Sequence, residues 1–150
     1  MSEVTVTSLA NLRNEVRYGA DHVLITDEPV ALGGEDAGPD PYTLLLAALG
    51  SCISMTTMLY ARRKAWPVER VTVRLRQQRI HGEDCQECAE KTDAFVHRIE
   101  RSVHFEGTLT KEQLARLQEI AHKCPVHKTL ASPIIITEMK NESGEESRLP

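Results

Sequence analysis

The sequence predicts an α+β fold organised around one long helix, with strands before and after it. Three observations carry this expectation. Apolar residues recur at three- and four-residue steps between Leu44 and Lys64, the period of a helix. Apolar and polar residues alternate strictly over 71–76 and again over much of 94–105, the period of a strand. Two helix-opening signals, at Thr110 and at Cys124-Pro125, then follow in close succession. The order is strands, a long helix, strands, two helices and a last strand.

A chain of 150 residues defaults to a single domain, placed at 1–139 with a polar tail at 140–150. With 41% hydrophobic and 27% charged residues, it can bury a core without metal or disulfide staples. A formal net charge of -4 argues against nucleic acid as the main partner. The basic residues between Arg62 and Arg79 read as a solvated face. The first ten residues hold no basic cluster followed by a long apolar run, so no signal peptide is expected. Polar residues interrupt the central helix, and no membrane span is expected. The chain therefore reads as cytoplasmic, where cysteines serve redox, metal or burial roles before structural disulfides.

Residues 1–12 are polar and weakly patterned. Asn14–Tyr18 and Val23–Thr26, around Gly19-Ala20-Asp21, read as a hairpin. Gly33 to Pro41 is a loop without a phosphate-binding glycine pattern. Asp40 can cap the coming helix, and Pro41 suits its first turn. Leu44, Leu45, Ala48, Leu49, Cys52, Met55, Leu59 and Tyr60 form the expected buried face. The small residues Ala47, Gly50, Ser51, Ser54 and Thr57 opposite suggest burial on a second side. Arg62, Arg63 and Lys64 suit the negative end of the helix, and Trp66-Pro67 closes it. Strands over 71–80 and 94–105 are expected to pair antiparallel. Thr110 to Gln113 is a capping box before a helix ending near His122. Pro125 starts a short helix to about Leu130, and 133–138 is expected to be the last strand.

Four cysteines carry the candidate chemistry. Cys124 precedes Pro125, so it stands near a helix N-cap, where free N–H groups stabilise a thiolate. Lys123 adds charge, and His122 and His127 flank the turn. On local grounds Cys124 is the more activatable thiol, whereas Cys52 needs a cation from elsewhere in the fold or from a second subunit. Cys85 and Cys88 form a CxxC pair among acidic residues, which raise thiol pKa. They read as an idle loop or reversible disulfide, as half of a zinc site with His81 as third ligand, or as a redox pair. Any second half of that site would come from His97, His104 or another chain.

Three stretches resemble the OsmC/Ohr family of thiol-dependent peroxidases: Gly38-Pro39-Asp40-Pro41, Leu44 through Cys52, and Lys123-Cys124-Pro125-Val126-His127. The likeness extends over most of 15–139. The segment from Arg79 to Cys88 looks like a branch distinct from the best-known hydroperoxide reductases. The resemblance implies the OsmC-like fold, a two-part curved antiparallel sheet packed around long central helices. It implies an intertwined homodimer with active sites at the subunit interface, a small organic hydroperoxide as substrate and a dithiol or lipoylated protein as reductant. No resident cofactor is implied. Cys52 would be the peroxidatic and Cys124 the resolving cysteine. Arg17 is the nearest fit to the family's arginine. The family's early-helix glutamate has no match: Tyr42 stands ten residues before Cys52, followed by Thr43. Glu35 and Asp40 are the carboxylates of the preceding loop. A thiol peroxidase leads, followed by a non-catalytic redox sensor or thiol carrier, then a zinc-binding structural protein through His81, Cys85 and Cys88.

Overall fold

A computed structural model of the chain describes residues 3–85 and 94–139. Among the described residues, two antiparallel sheets, three α-helices and two short 3-10 turns form the regular elements. Strands β1 (Val4–Ser8), β2 (Asn14–Tyr18) and β3 (His22–Thr26) form a three-stranded sheet in that order. The expected hairpin is its β2–β3 half, with Tyr18 opposite His22. Strand β1 lies in the stretch read as unpatterned. Its signal is the alternation Val4-Thr5-Val6-Thr7, and all five residues are exposed, so burial added nothing to the pattern.

The loop after β3 is built around Asp27. This buried carboxylate accepts hydrogen bonds from the backbone N–H groups of Glu28, Glu35 and Ala37 at 2.9, 3.0 and 3.2 Å. Glu35 also pairs with Arg13. Gly38 is required by close approach: a Cβ there would stand 2.1 Å from the Ile25 carbonyl oxygen. The loop delivers the chain to α1 (Pro41–Arg63), whose N-cap is Asp40, accepting from Tyr42 and Thr43 N–H.

The buried stripe of α1 is Leu49, Ile53, Thr57 and Ala61, a four-residue repeat. This corrects the expected face in two respects. Met55 is 64% exposed and Leu59 is 53% exposed, while Thr57, assigned to the opposite side, is buried. The Thr57 hydroxyl can be buried because it donates within its own helix, to Ile53 O at 2.9 Å. By length and composition alone α1 could cross a membrane. Its apolar run is therefore longer than the sequence reading allowed. Here its stripe packs on a strand and two helices.

Strands β4 (Val68–His81) and β5 (Phe95–Gly107) form a long antiparallel pair, in register from Arg70–Glu106 to His81–Phe95. Val73, Leu75, Ile99 and Val103 turn toward α1. Phe95 shares their parity yet is exposed, with Arg79 over its ring at 4.9 Å. Helix α1 crosses β4 closely at Gly50, where a Cβ would come within 2.8 Å of Leu75 Cδ1. Helix α2 (Lys111–Ala121) opens on the expected capping box, Thr110 with Gln113. Helix α3 (Pro125–Leu130) follows a short turn.

Residues 133–139 form no strand. Ile135 and Ile136 are 87% and 92% exposed. The segment has the composition of a strand, but no described strand of the same chain pairs with it, and a β-propensity is realised only against a partner. The expected tail, 140–150, lies outside the described residues.

Candidate active site

Cys52 lies mid-way along α1 beside the buried stripe and is half-buried. Cys124 is the N-cap of α3 and fully buried, its sulfur accepting from His127 N–H at 3.3 Å. Both are free thiols. The two meet because α3 packs on α1: Cys124, Leu49, Ile53 and Ala121 form one buried cluster, with Cys52 and Val126 against it. The two thiols lie close enough that each shifts the other.

The electrostatics differ between the two. Burial pushes the Cys52 thiol up. Three donors outweigh it and hold Cys52 below the ordinary thiol range: the Val126 N–H, the Cys124 thiol and the Thr56 hydroxyl. Burial pushes Cys124 up as well. His127 N–H and Val126 N–H oppose that, but the hydrogen bond to Cys52 and the charge of a Cys52 thiolate drive it higher. This reverses the local sequence argument, which made Cys124 the more activated thiol. The turn does supply donors, but burial outweighs them at Cys124, and Val126 N–H lowers Cys52 as well. Cys52 is activated by neutral donors within one chain.

Thr56 was not singled out in the sequence. It sits one helical turn after Cys52, and i to i+4 neighbours on a helix meet. That spacing was the available signal.

The other candidates are placed elsewhere. Arg17 lies on β2 and pairs with Glu15 at 2.6 Å, its side chain 62% exposed. The three-stranded sheet makes little contact with the helices. The single chain thus does not bring Arg17 to the cysteines. Neither loop carboxylate takes the place of the missing glutamate: Glu35 pairs with Arg13 and Asp40 caps α1. Tyr42 stacks on His97, with ring centroids 5.9 Å apart, and His97 Nδ1 hydrogen-bonds to Gln77 at 2.7 Å. His122 and His127 face each other edge-on at 6.3 Å. Burial, Arg101 and His127 together hold His122 below the ordinary imidazole range.

Cys85 is buried and disulfide-bonded; Cys88 lies outside the described residues. A disulfide sulfur is not the thiolate that zinc requires. His81 rests edge-on to Phe95 and stands 3.9 Å from Glu83. Among the described residues no group of three or more His, Cys, Asp or Glu is placed to hold a metal ion. Of the described residues, His81 and the disulfide-bonded Cys85 do not by themselves form a zinc site.

A family model described as OsmC-like protein matches residues 33–139, well over half of the chain. The chain belongs to the OsmC-like family. Solved structures agree on the fold. A Psychrobacter arcticus protein named for osmotic stress induction and a detoxification response is 21% identical, with TM-score 0.69 over 86% of this chain and 88% of that one. An OsmC-like protein from Mycoplasma pneumoniae is 15% identical, with TM-score 0.67 over 87% of each chain. An organic hydroperoxide resistance protein OsmC from Legionella pneumophila is 17% identical, with TM-score 0.63 over 87% of this chain and 88% of that one. No curated protein matches. At these identities the structural likeness of this OsmC-like chain concerns its fold.

Proposed function

We propose that this OsmC-like protein is a thiol-dependent peroxidase acting on organic hydroperoxides through Cys52 and Cys124. The observation that carries the reading is the placing of Cys52 against the buried cluster that holds Cys124, with the Cys52 thiol lowered and the Cys124 thiol raised. A nucleophile must be ionised at working pH, and a resolving thiol must keep its proton until it is needed. Family membership and relatives named for organic hydroperoxide resistance support the same reading.

In the first step the Cys52 thiolate attacks the distal peroxide oxygen. An S–O bond forms, the O–O bond breaks, and the alkoxide takes a proton from water to leave as alcohol. Sulfur is oxidised to sulfenic acid by two electrons. The Cys124 sulfur then attacks Cys52 sulfur, its proton joins the departing hydroxyl, and water leaves as the disulfide forms. A dithiol, free or carried as a lipoyl group, returns two electrons and two protons by exchange.

A second copy of the chain completes the site in this reading. The single chain leaves apolar surface on α1 (Met55, Leu59), on the three-stranded sheet (Val4, Val6, Val23) and at 134–136. It also leaves Arg17 away from the cysteines. A homodimer that covers those surfaces could carry the partner's arginine to Cys52.

A thiol carrier is the second reading. It is favoured by the neutral donors at Cys52 and by Tyr42 in place of the family's carboxylate. Stopped-flow kinetics with cumene hydroperoxide and a dithiol separate the two. The peroxidase reading requires Cys52→Ser to abolish consumption and Cys124→Ser to give one turnover, then stall at sulfenic acid. Equal multi-turnover activity in both variants refutes it.

A further inference from the structure

The row of β5 that faces the helices runs Ile99, Arg101, Val103, Phe105, with Arg101 opposite Leu75 across the strand pair. One charged side chain therefore stands in an apolar row. Its Nη1 donates to the Ala121 carbonyl at 2.9 Å, in a partly buried position. Ala121 is the last residue of α2, fully buried, and packs in the cluster that holds Cys124. Last-turn carbonyls have no partner inside their helix and carry the negative end of its dipole. A guanidinium there satisfies the carbonyl and complements the charge. Two residues, His122 and Lys123, lie between Ala121 and Cys124, and this turn is also held by His122 N–H to Glu119 O and Lys123 N–H to Ile120 O.

We propose that Arg101 is the positioning residue for Cys124: by gripping the Ala121 carbonyl it fixes the 122–124 turn from which the second sulfur is presented to Cys52. Arg101 acts through Ala121 and on the second chemical step. The proposal rests on the reading of Cys52 and Cys124 as a reactive pair. It does not require the oxidant to be a peroxide. Loss of Arg101 frees the end of α2 to fray and widens the range of positions Cys124 samples, while Cys52 on α1 stays where it is.

The test compares the full-length wild type with Arg101→Met, which keeps the apolar stem, and Arg101→Lys, which keeps a cation able to reach a carbonyl. Each is oxidised with cumene hydroperoxide and, separately, with diamide, which needs only two thiols in reach. Rapid alkylation quench and mass analysis follow Cys52 oxidation and Cys52–Cys124 disulfide formation as separate steps. Arg101→Met is expected to slow disulfide formation by about tenfold with either oxidant, the scale of one charge-assisted hydrogen bond. The first oxidation by hydroperoxide should stay within about twofold, and Arg101→Lys should recover most of the loss. An unchanged disulfide rate in Arg101→Met overturns the proposal. So does equal slowing of both steps, or a lysine variant as slow as methionine. Should the wild type form the disulfide with diamide yet consume no hydroperoxide, the peroxidase reading falls, and the diamide arm alone decides the role of Arg101.

Discussion

Cys52 and Cys124 differ in what surrounds them more than in what they are. One is partly exposed and lowered by Val126 N–H, the Cys124 thiol and the Thr56 hydroxyl; the other is sealed in the core. Because Cys52 is lowered, its reactive thiolate persists to lower pH than an ordinary thiol allows. It is lost only as the pH falls through the lowered value. The rate of the first oxidation should therefore rise with pH to a plateau whose midpoint lies below the ordinary thiol range. Thr56→Val removes one donor at nearly constant volume. It should move that midpoint upward and slow the reaction at pH 7 by about two- to tenfold, the scale of a neutral hydrogen bond. A pH–rate profile by stopped flow checks this, and an unmoved midpoint contradicts it. Asp27 belongs to the same scale. Its carboxyl is held below the usual carboxylate range: burial raises it, but three backbone N–H donors and Arg13 prevail. The stability it adds is present above the unfolded carboxylate value and disappears as acid protonates it. Asp27→Ala should lower Tm and speed amide exchange at Glu28, Glu35 and Ala37, which heteronuclear exchange measurements read directly.

Elements with a strong period are legible in the sequence. The helix from Pro41, the β4–β5 pair, the Thr110 capping box and the Cys124-Pro125 start all appear where the pattern puts them. The misses have physical causes. Strand β1 is an exposed edge, so nothing buried reinforced its alternation. The 133–138 run has the composition of a strand without a described partner strand in its own chain. The buried face of α1 was misjudged because its exposed side is also apolar, and a hydrophobic period cannot separate two apolar faces. Arg101 was invisible for the opposite reason: in a strand read for its apolar parity it looked like an interruption, and only its carbonyl partner gives it meaning. The activation order of the cysteines depends on Val126 N–H and Thr56 converging on one sulfur, a convergence in space. Two element-scale substitutions check the packing. Gly50→Val should destabilise by about 1–3 kcal/mol through overpacking against Leu75. Leu117→Ala, at a fully buried site between α2 and the β5 side of the core, should cost about 2–5 kcal/mol. Urea unfolding at equilibrium measures both.

At the scale of the whole molecule, the described residues of one chain leave apolar side chains uncovered. Its long helix buries a stripe and leaves Met55 and Leu59 outside, its first sheet stands apart from the helices, and its last apolar segment is bare. Exposed apolar residues of this size call for a cover, and a second copy would supply one of matching character in the proposed reading. Sedimentation equilibrium should find dimers at micromolar concentration. Met55→Asp combined with Leu59→Asp should shift the population toward single chains and weaken peroxidase activity in step. Dimerisation unaffected by that pair would move the interface elsewhere.

The most direct measurement joins the three scales. Protein with Cys52 and Cys124 as free thiols and the Cys85 disulfide intact receives one equivalent of cumene hydroperoxide, and the product is digested and mapped by mass spectrometry without added reductant. The account predicts stoichiometric consumption and a single new bridge, Cys52 to Cys124, formed within the chain and absent when either is serine. Hydroperoxide left unconsumed, or consumed while those two thiols stay reduced, would contradict it.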